Sequence, residues 1–172
     1  AMAHAAGVPC EAELGAVMGH ESTVLPPYEE IFAKKMGFTK VAEAAHFAVE
    51  SKCDWLSVAV GNIHGAVAEA VRNQKKPEAK LDVEHIADLA KATGLPLVLH
   101  GGSGTGDENL AKSTREGISK VNLATDLYMA GAKSWNDEDC VHAGPGYKLI
   151  KAGYKAMLIH YMELFNQCGK AW

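Results

Sequence analysis

Two histidines stand where this sequence could do chemistry. His100 ends a short apolar run, 96–99, and is followed at once by Gly101, Gly102, Ser103, Gly104, Thr105 and Gly106. His64 has the same setting: it stands in the string GNIHG, which follows a second apolar run and ends on Gly65. Imidazole ligates zinc and related divalent ions, and a catalytic zinc takes three protein ligands and keeps one position open. The two histidines therefore read as two of three metal ligands. Glu11, Glu13 or a residue outside the chain is left as the third. The glycines suit a second task. Without a Cβ, backbone N–H groups can crowd against an anion, and such a turn ahead of a helix N-terminus suits a phosphate. Ser103 can add a hydroxyl there and Gly102 a backbone N–H. Asn122 and Thr125, in VNLAT, end the last strand and open a helix, a second phosphate-type position that is equally compatible with plain helix capping by Thr125 or Asp126. Glu21 lies in a loop after the first strand, where a lone glutamate ordinarily faces solvent. His4, His20, His46, His85, His142 and His160 carry no comparable context.

The elements that must position these residues follow from periodicity. Residues 1–6 favour a helix, which Gly7 ends. Residues 8–14 alternate like a strand and place Glu11 and Glu13 on one face. A loop runs over 15–27, a short helical patch over 28–35, and a helix from an N-cap at Thr39 to Ser51, burying Val41, Ala45, Phe47, Ala48 and Val49. The second strand is 54–60. The Lys-rich stretch 72–80 reads as a solvated loop. Residues 81–93 form an amphipathic helix with Val83, Ile86, Ala87 and Leu89 inward and Gly94 at its end. After the strand at 96–99 come a helix over 107–116, a strand over 118–123, a helix over 125–134, a loop over 135–145 and a closing helix over 146–168.

Composition narrows the function classes. With 172 residues, 48% hydrophobic and 22% charged, the chain can build one sizeable core. A net charge of −4 gives no global attraction to nucleic acid or anionic membranes. No apolar run approaches the roughly 18 residues of a membrane span, and the start lacks the pattern of a signal peptide. Cys10, Cys53, Cys140 and Cys168 are scattered without a CxxC pair, so they read as reduced structural thiols of a cytoplasmic protein.

The alternation is strand, loop, helix, four times over, which means a parallel sheet covered by helices. An open doubly wound sheet would carry its nucleotide fingerprint in the first turn, and GAVMGHES is not one. In a (β/α)8 (TIM-type) barrel the active site collects at the C-terminal ends of strands, with phosphate after the last two. Glu13, His64, His100 and Asn122 stand at four such ends. The expectation is α/β, strands 5–8 of a barrel plus a long closing helix, with 1–172 as the C-terminal half of a single domain. A complete barrel takes about 250 residues, so the chain is expected to be incomplete or to pair with another.

Read in order, ELG, GHES, SVAVGNIHG, PLVLHGGSG and KVNLATD resemble the C-terminal half of class II, metal-dependent, ketose-bisphosphate aldolases. The resemblance implies that His64 and His100 are two of three zinc-binding histidines. It implies that Gly65, Gly101 and Ser103 hold the substrate phosphate and a monovalent cation (Na+ or K+), and that Asn122 and Thr125 contact dihydroxyacetone phosphate. Glu21 matches a mobile-loop glutamate of proton transfer, and Glu13 a nearby acidic residue. The implied cofactor is Zn2+ and the implied reaction is reversible cleavage of a ketose bisphosphate, fructose 1,6-bisphosphate or its tagatose isomer. The implied partner is a phosphosugar, and the complete enzyme is a homo-oligomer, dimer or tetramer. The family's acid-base aspartate and third zinc histidine have no counterpart here. Met18 replaces a glycine, His20 precedes Glu21, and Ser22 replaces an aspartate. Two further readings stand beside this one: a non-catalytic phosphate-binding or assembly module, and a metal-free barrel enzyme, for which His64→Ala would leave metal content unchanged.

Overall fold

The computed structural model describes residues 2–19, 21–65, 77–136 and 142–170. Four strands, β1 (Glu11–Leu14), β2 (Trp55–Val58), β3 (Leu97–Leu99) and β4 (Ile118–Val121), form one parallel sheet in chain order. The helices are α1 (Met2–Ala5), α2 (Tyr28–Ala33), α3 (Val41–Ser51), α4 (Val83–Thr93), α5 (Asp107–Arg115), α6 (Thr125–Asn136) and α7 (Ala143–Leu164). Parallel neighbours in sequential order, joined by helical crossovers, are the arrangement of half a (β/α)8 barrel. The chain forms two compact units, Ala1–Asn122 and Leu123–Trp172. The first holds the sheet. In the second, α6 packs on α7, and the Tyr161 hydroxyl of α7 donates to Asp126 Oδ2 of α6 at 2.6 Å.

The inner strands explain the core. Leu56, Ser57 and Val58 of β2 and Leu97, Val98 and Leu99 of β3 are each at most 1% exposed. α4 adds Ile86 and Leu89, and α5 adds Leu110, all fully buried. Each of the apolar side chains among these contributes about 1.5–3 kcal/mol by leaving water. α4 is well specified locally: Asp82 accepts the His85 N–H at its N-terminus, and Gly94 closes it in the left-handed conformation.

Several sequence expectations are corrected. Thr39 is not the N-cap of α3. Lys40 occupies that position without a side-chain hydrogen bond. The Thr39 hydroxyl instead donates to Leu14 O at 2.5 Å and accepts the Ala59 N–H at 2.9 Å, lacing the exit of β1 to the exit of β2. α3 buries Ala44 fully, while Val49 points to solvent, 71% exposed. Of the expected solvated loop, 72–76 lies outside the described residues. Beyond it Ala79 is fully buried and pairs in parallel with Thr105. α6 continues through Trp135 to Asn136, and α7 begins at Ala143, so Pro145 sits in its first turn. Proline is tolerated there because the first N–H groups of a helix have no intrahelical acceptor. β1 and β4 are shorter than expected and only partly buried.

Candidate active site

The exits of β1 and β2 are tied together by backbone before any side chain acts. Met18 pairs in parallel with Ile63, and the His64 N–H donates to Met18 O at 2.7 Å. Met18 is a departure from the family pattern, and its side chain packs against the buried cluster of Ile31, Ile63 and Ala79. Gly19 follows with φ +121°, and a Cβ there would lie 2.5 Å from His64 O, so only glycine fits against the His64 segment. The Glu21 carboxylate accepts the Gly19 N–H at 2.6 Å. The structure thus places Glu21 on the loop that rests on the His64 peptide, held by that loop's own backbone.

The next pair of exits is joined by Asn62, which sequence reasoning passed over. It is 4% exposed. Its Oδ1 accepts the Val60 N–H at 2.8 Å and its Nδ2 donates to His100 O at 2.9 Å. Its place inside GNIHG was the only available signal. Gly101 has φ +63°, and a Cβ there would lie 3.3 Å from His64 Nδ1. The imidazole of His64 therefore lies against the residue that follows His100. The two predicted ligands come from adjacent strand exits, with the ring of His64 beside the residue that follows His100.

The ring of His100 is bracketed by carboxylates. Nε2 lies 3.1 Å from Glu11 Oε1 and Nδ1 lies 3.4 Å from Glu13 Oε2. The other oxygen of Glu11 accepts from Lys120 Nζ of β4 at 2.6 Å. Burial pushes the Glu11 carboxyl upward, but the hydrogen bonds and charges of Lys120 and His100 outweigh it, and its pKa lies below the usual value. Register puts Glu13, Ser57, Val98 and Lys120 in one row across the sheet. In a flat sheet the outer strands would stand about 14 Å apart. Glu11 and Lys120 meet because the sheet curls toward this face.

The glycine-rich turn is also assembled, with one correction. The Gly102 N–H donates to Asn122 O at 3.1 Å, and the Asn122 N–H donates to Leu99 O at 2.9 Å. This continues the β3–β4 ladder beyond the strands, so the Gly102 amide is engaged by the chain itself and is not aimed at a ligand. Ser103 is buried, and Thr105 Oγ1 is buried without a hydrogen-bond partner among the described residues. Gly65 is exposed, with open space where a Cβ would stand. Thr125 opens α6 in the second unit and is exposed.

Among the described residues no group of three or more His, Cys, Asp or Glu is arranged to hold a metal ion. Two imidazoles at adjacent strand exits fit zinc by donor chemistry and would supply part of a set. The histidines set aside as structural include His4, which pairs with Asp54, and His85, which bonds to Thr39 O. Cys10, Cys53 and Cys168 are free thiols, and Cys140 and His20 lie outside the described residues. No helix among the described residues is long and apolar enough to cross a membrane.

Fold and site together define one half of a parallel α/β barrel whose strand exits gather histidines and glycine-rich turns. The chain belongs to the class-II fructose-bisphosphate aldolase family, whose sequence model matches residues 1–171. It is 33% identical over 171 residues to the uncharacterized protein YdjI of Escherichia coli K12, covering 98% of this chain and 55% of that protein. It is 36% identical over 150 residues to the fructose-bisphosphate aldolase of Helicobacter pylori 26695, covering 75% of this chain and 45% of the relative. The crystal structure of the YdjI aldolase superposes with a TM-score of 0.77 at 27% identity, over 99% of this chain and 54% of that one. A putative fructose-1,6-biphosphate aldolase from Coccidioides immitis shares the fold, with a TM-score of 0.74 at 24% identity over 98% of this chain and 55% of that one. The chain spans about half the length of the relatives it matches.

Proposed function

We propose that this chain is the metal- and phosphate-binding half of a single-domain class II aldolase that reversibly cleaves a ketose bisphosphate to dihydroxyacetone phosphate and an aldehyde. The observation that carries the reading is that His64 and His100 stand at adjacent strand exits, with the His64 ring set against Gly101. Family membership supports it. His64 and His100 would hold the divalent ion, with a third ligand from outside the described residues. When bound, zinc would act as a Lewis acid toward the ketone and hydroxyl oxygens of the substrate.

The chain's own residues do the rest. Gly65, Gly101 and Ser103 would receive the phosphate and a monovalent cation, and Asn122 and Thr125 the dihydroxyacetone phosphate end, so that binding energy fixes orientation. Glu21 would move the proton at the carbon beside the ketone. To do so it must leave the Gly19 N–H, its present partner. The paired loops Met18–Ile63 give that movement a fixed base.

The test is cleavage of fructose 1,6-bisphosphate and tagatose 1,6-bisphosphate by the full-length polypeptide, with and without a chelator. Cleavage of one of them that a chelator abolishes and Zn2+ restores is the expected result. Cleavage indifferent to chelation, or none of either sugar at full metal loading, would overturn the reading.

A further inference from the structure

A metal-ligating histidine offers one ring nitrogen to the ion and commonly donates the other N–H to a carboxylate, which fixes the ring and its tautomer. His100 meets a carboxylate at each nitrogen, so the structure offers two candidates for that supporting role. They are not equivalent. Glu11 makes the closer contact, 3.1 Å to Nε2, and its second oxygen is anchored by Lys120 at 2.6 Å. Its side chain is 24% exposed. Glu13 makes the longer contact, 3.4 Å to Nδ1, is 44% exposed, and shows no second partner among the described residues. One carboxylate is held at both oxygens and the other is loose.

The anchoring reaches across the sheet. Glu11 belongs to β1 and Lys120 to β4, and the pair closes over the row of Ser57 and Val98 on the inner strands. An exposed ion pair of this sort adds little stability. A carboxylate locked between a cation and an imidazole nitrogen does restrict the ring, however, because rotating His100 away breaks the Nε2 contact while Glu11 cannot follow without leaving Lys120.

We propose that Glu11, braced by Lys120, is the positioning residue of His100, accepting its Nε2–H so that Nδ1 is the nitrogen presented to the metal. Glu13 is then the carboxylate that gives way at Nδ1 when an ion arrives. This assignment rests on the reading of His100 as a ligand.

The test measures Zn2+ affinity of the full-length protein by competition with a chromogenic chelator, with thermal melts alongside. Glu11→Ala is expected to bind Zn2+ about 10- to 100-fold more weakly with little change in melting temperature. Glu11→Gln keeps an acceptor for the Nε2–H and recovers most of that loss. Lys120→Met falls between the two, and Glu13→Gln binds as wild type or tighter. If Glu11→Ala does not fold, Lys120→Met carries the test. Wild-type affinity in Glu11→Ala or, failing that, in Lys120→Met overturns the assignment, as does a loss in Glu13→Gln equal to that in Glu11→Ala. His100→Ala separates the two levels. If it loses Zn2+ while Glu11→Ala does not, only the positioning role falls. If it binds as wild type, the ligand reading falls and takes the assignment with it.

Discussion

The inner and outer strands of the sheet do different work. β2 from Leu56 onward and all of β3 are buried to at most 1% exposure, and the chain leaves them toward His64 and His100. β1 and β4 are partly open and carry Glu11, Glu13 and Lys120. Apolar burial fixes where the histidine backbones emerge, and charges on the outer strands fix which way one ring faces. The first kind of interaction is strong, local and non-directional. The second is worth little in stability but sets orientation. Placement and aim are thus supplied by separate parts of the sequence, and substitutions should separate them.

The largest effect should come from the inner strands. Leu99→Ala removes a fully buried side chain beside His100, and urea unfolding is expected to show a loss of about 2–5 kcal/mol. The lacing between an outer and an inner strand comes next. Thr39→Val strips the hydroxyl that joins Leu14 O to the Ala59 N–H, leaving buried polar groups unpaired at a cost of about 1–3 kcal/mol.

The cap of α4, whose Ile86 and Leu89 are fully buried, should be worth less and should depend on pH. Burial raises the Asp82 carboxyl, but the Lys35 hydrogen bond and charge and the His85 N–H outweigh it, so its pKa lies below the usual value. A depressed carboxyl contributes stability above its unfolded pKa and loses it as pH falls through the folded one. Asp82→Ala is expected to cost about 1 kcal/mol at pH 7. The gap from wild type should close progressively as acid is added below about pH 4. A gap that stays constant to low pH would contradict the assigned charge. The smallest stability effect belongs to the outer-strand charges: Glu11→Ala should change unfolding by under about 1 kcal/mol while weakening the metal site.

Much of this arrangement could be read in the sequence, and for a physical reason. Apolar runs ending in glycine mark buried strand exits, so GNIHG and HGGSG announced both the topology and the histidines. What escaped were contacts between residues far apart in the chain. Lys120 looked like an ordinary strand residue because its partner Glu11 lies 109 positions away. Glu11 was weighed as a ligand, since nothing local shows that Lys120 holds it. Thr39 carries the local signature of a cap, yet two strand exits claim its hydroxyl. Gly102 looked like an anion donor until the Asn122 carbonyl took its N–H. Ala79 was hidden by the lysines before it, and the Gly-Pro-Gly of 144–146 disguised the first turn of α7. Met18, an oddity in the sequence, is explained by the apolar cluster it meets.

The central claim is that His64 and His100 hold one divalent ion together. It is tested most directly by the zinc content of the full-length protein and of His64→Ala and His100→Ala, each checked for a wild-type fold by circular dichroism. The account predicts about one zinc per chain in the wild type and near-complete loss in either variant. Full retention in a correctly folded His100→Ala would contradict it.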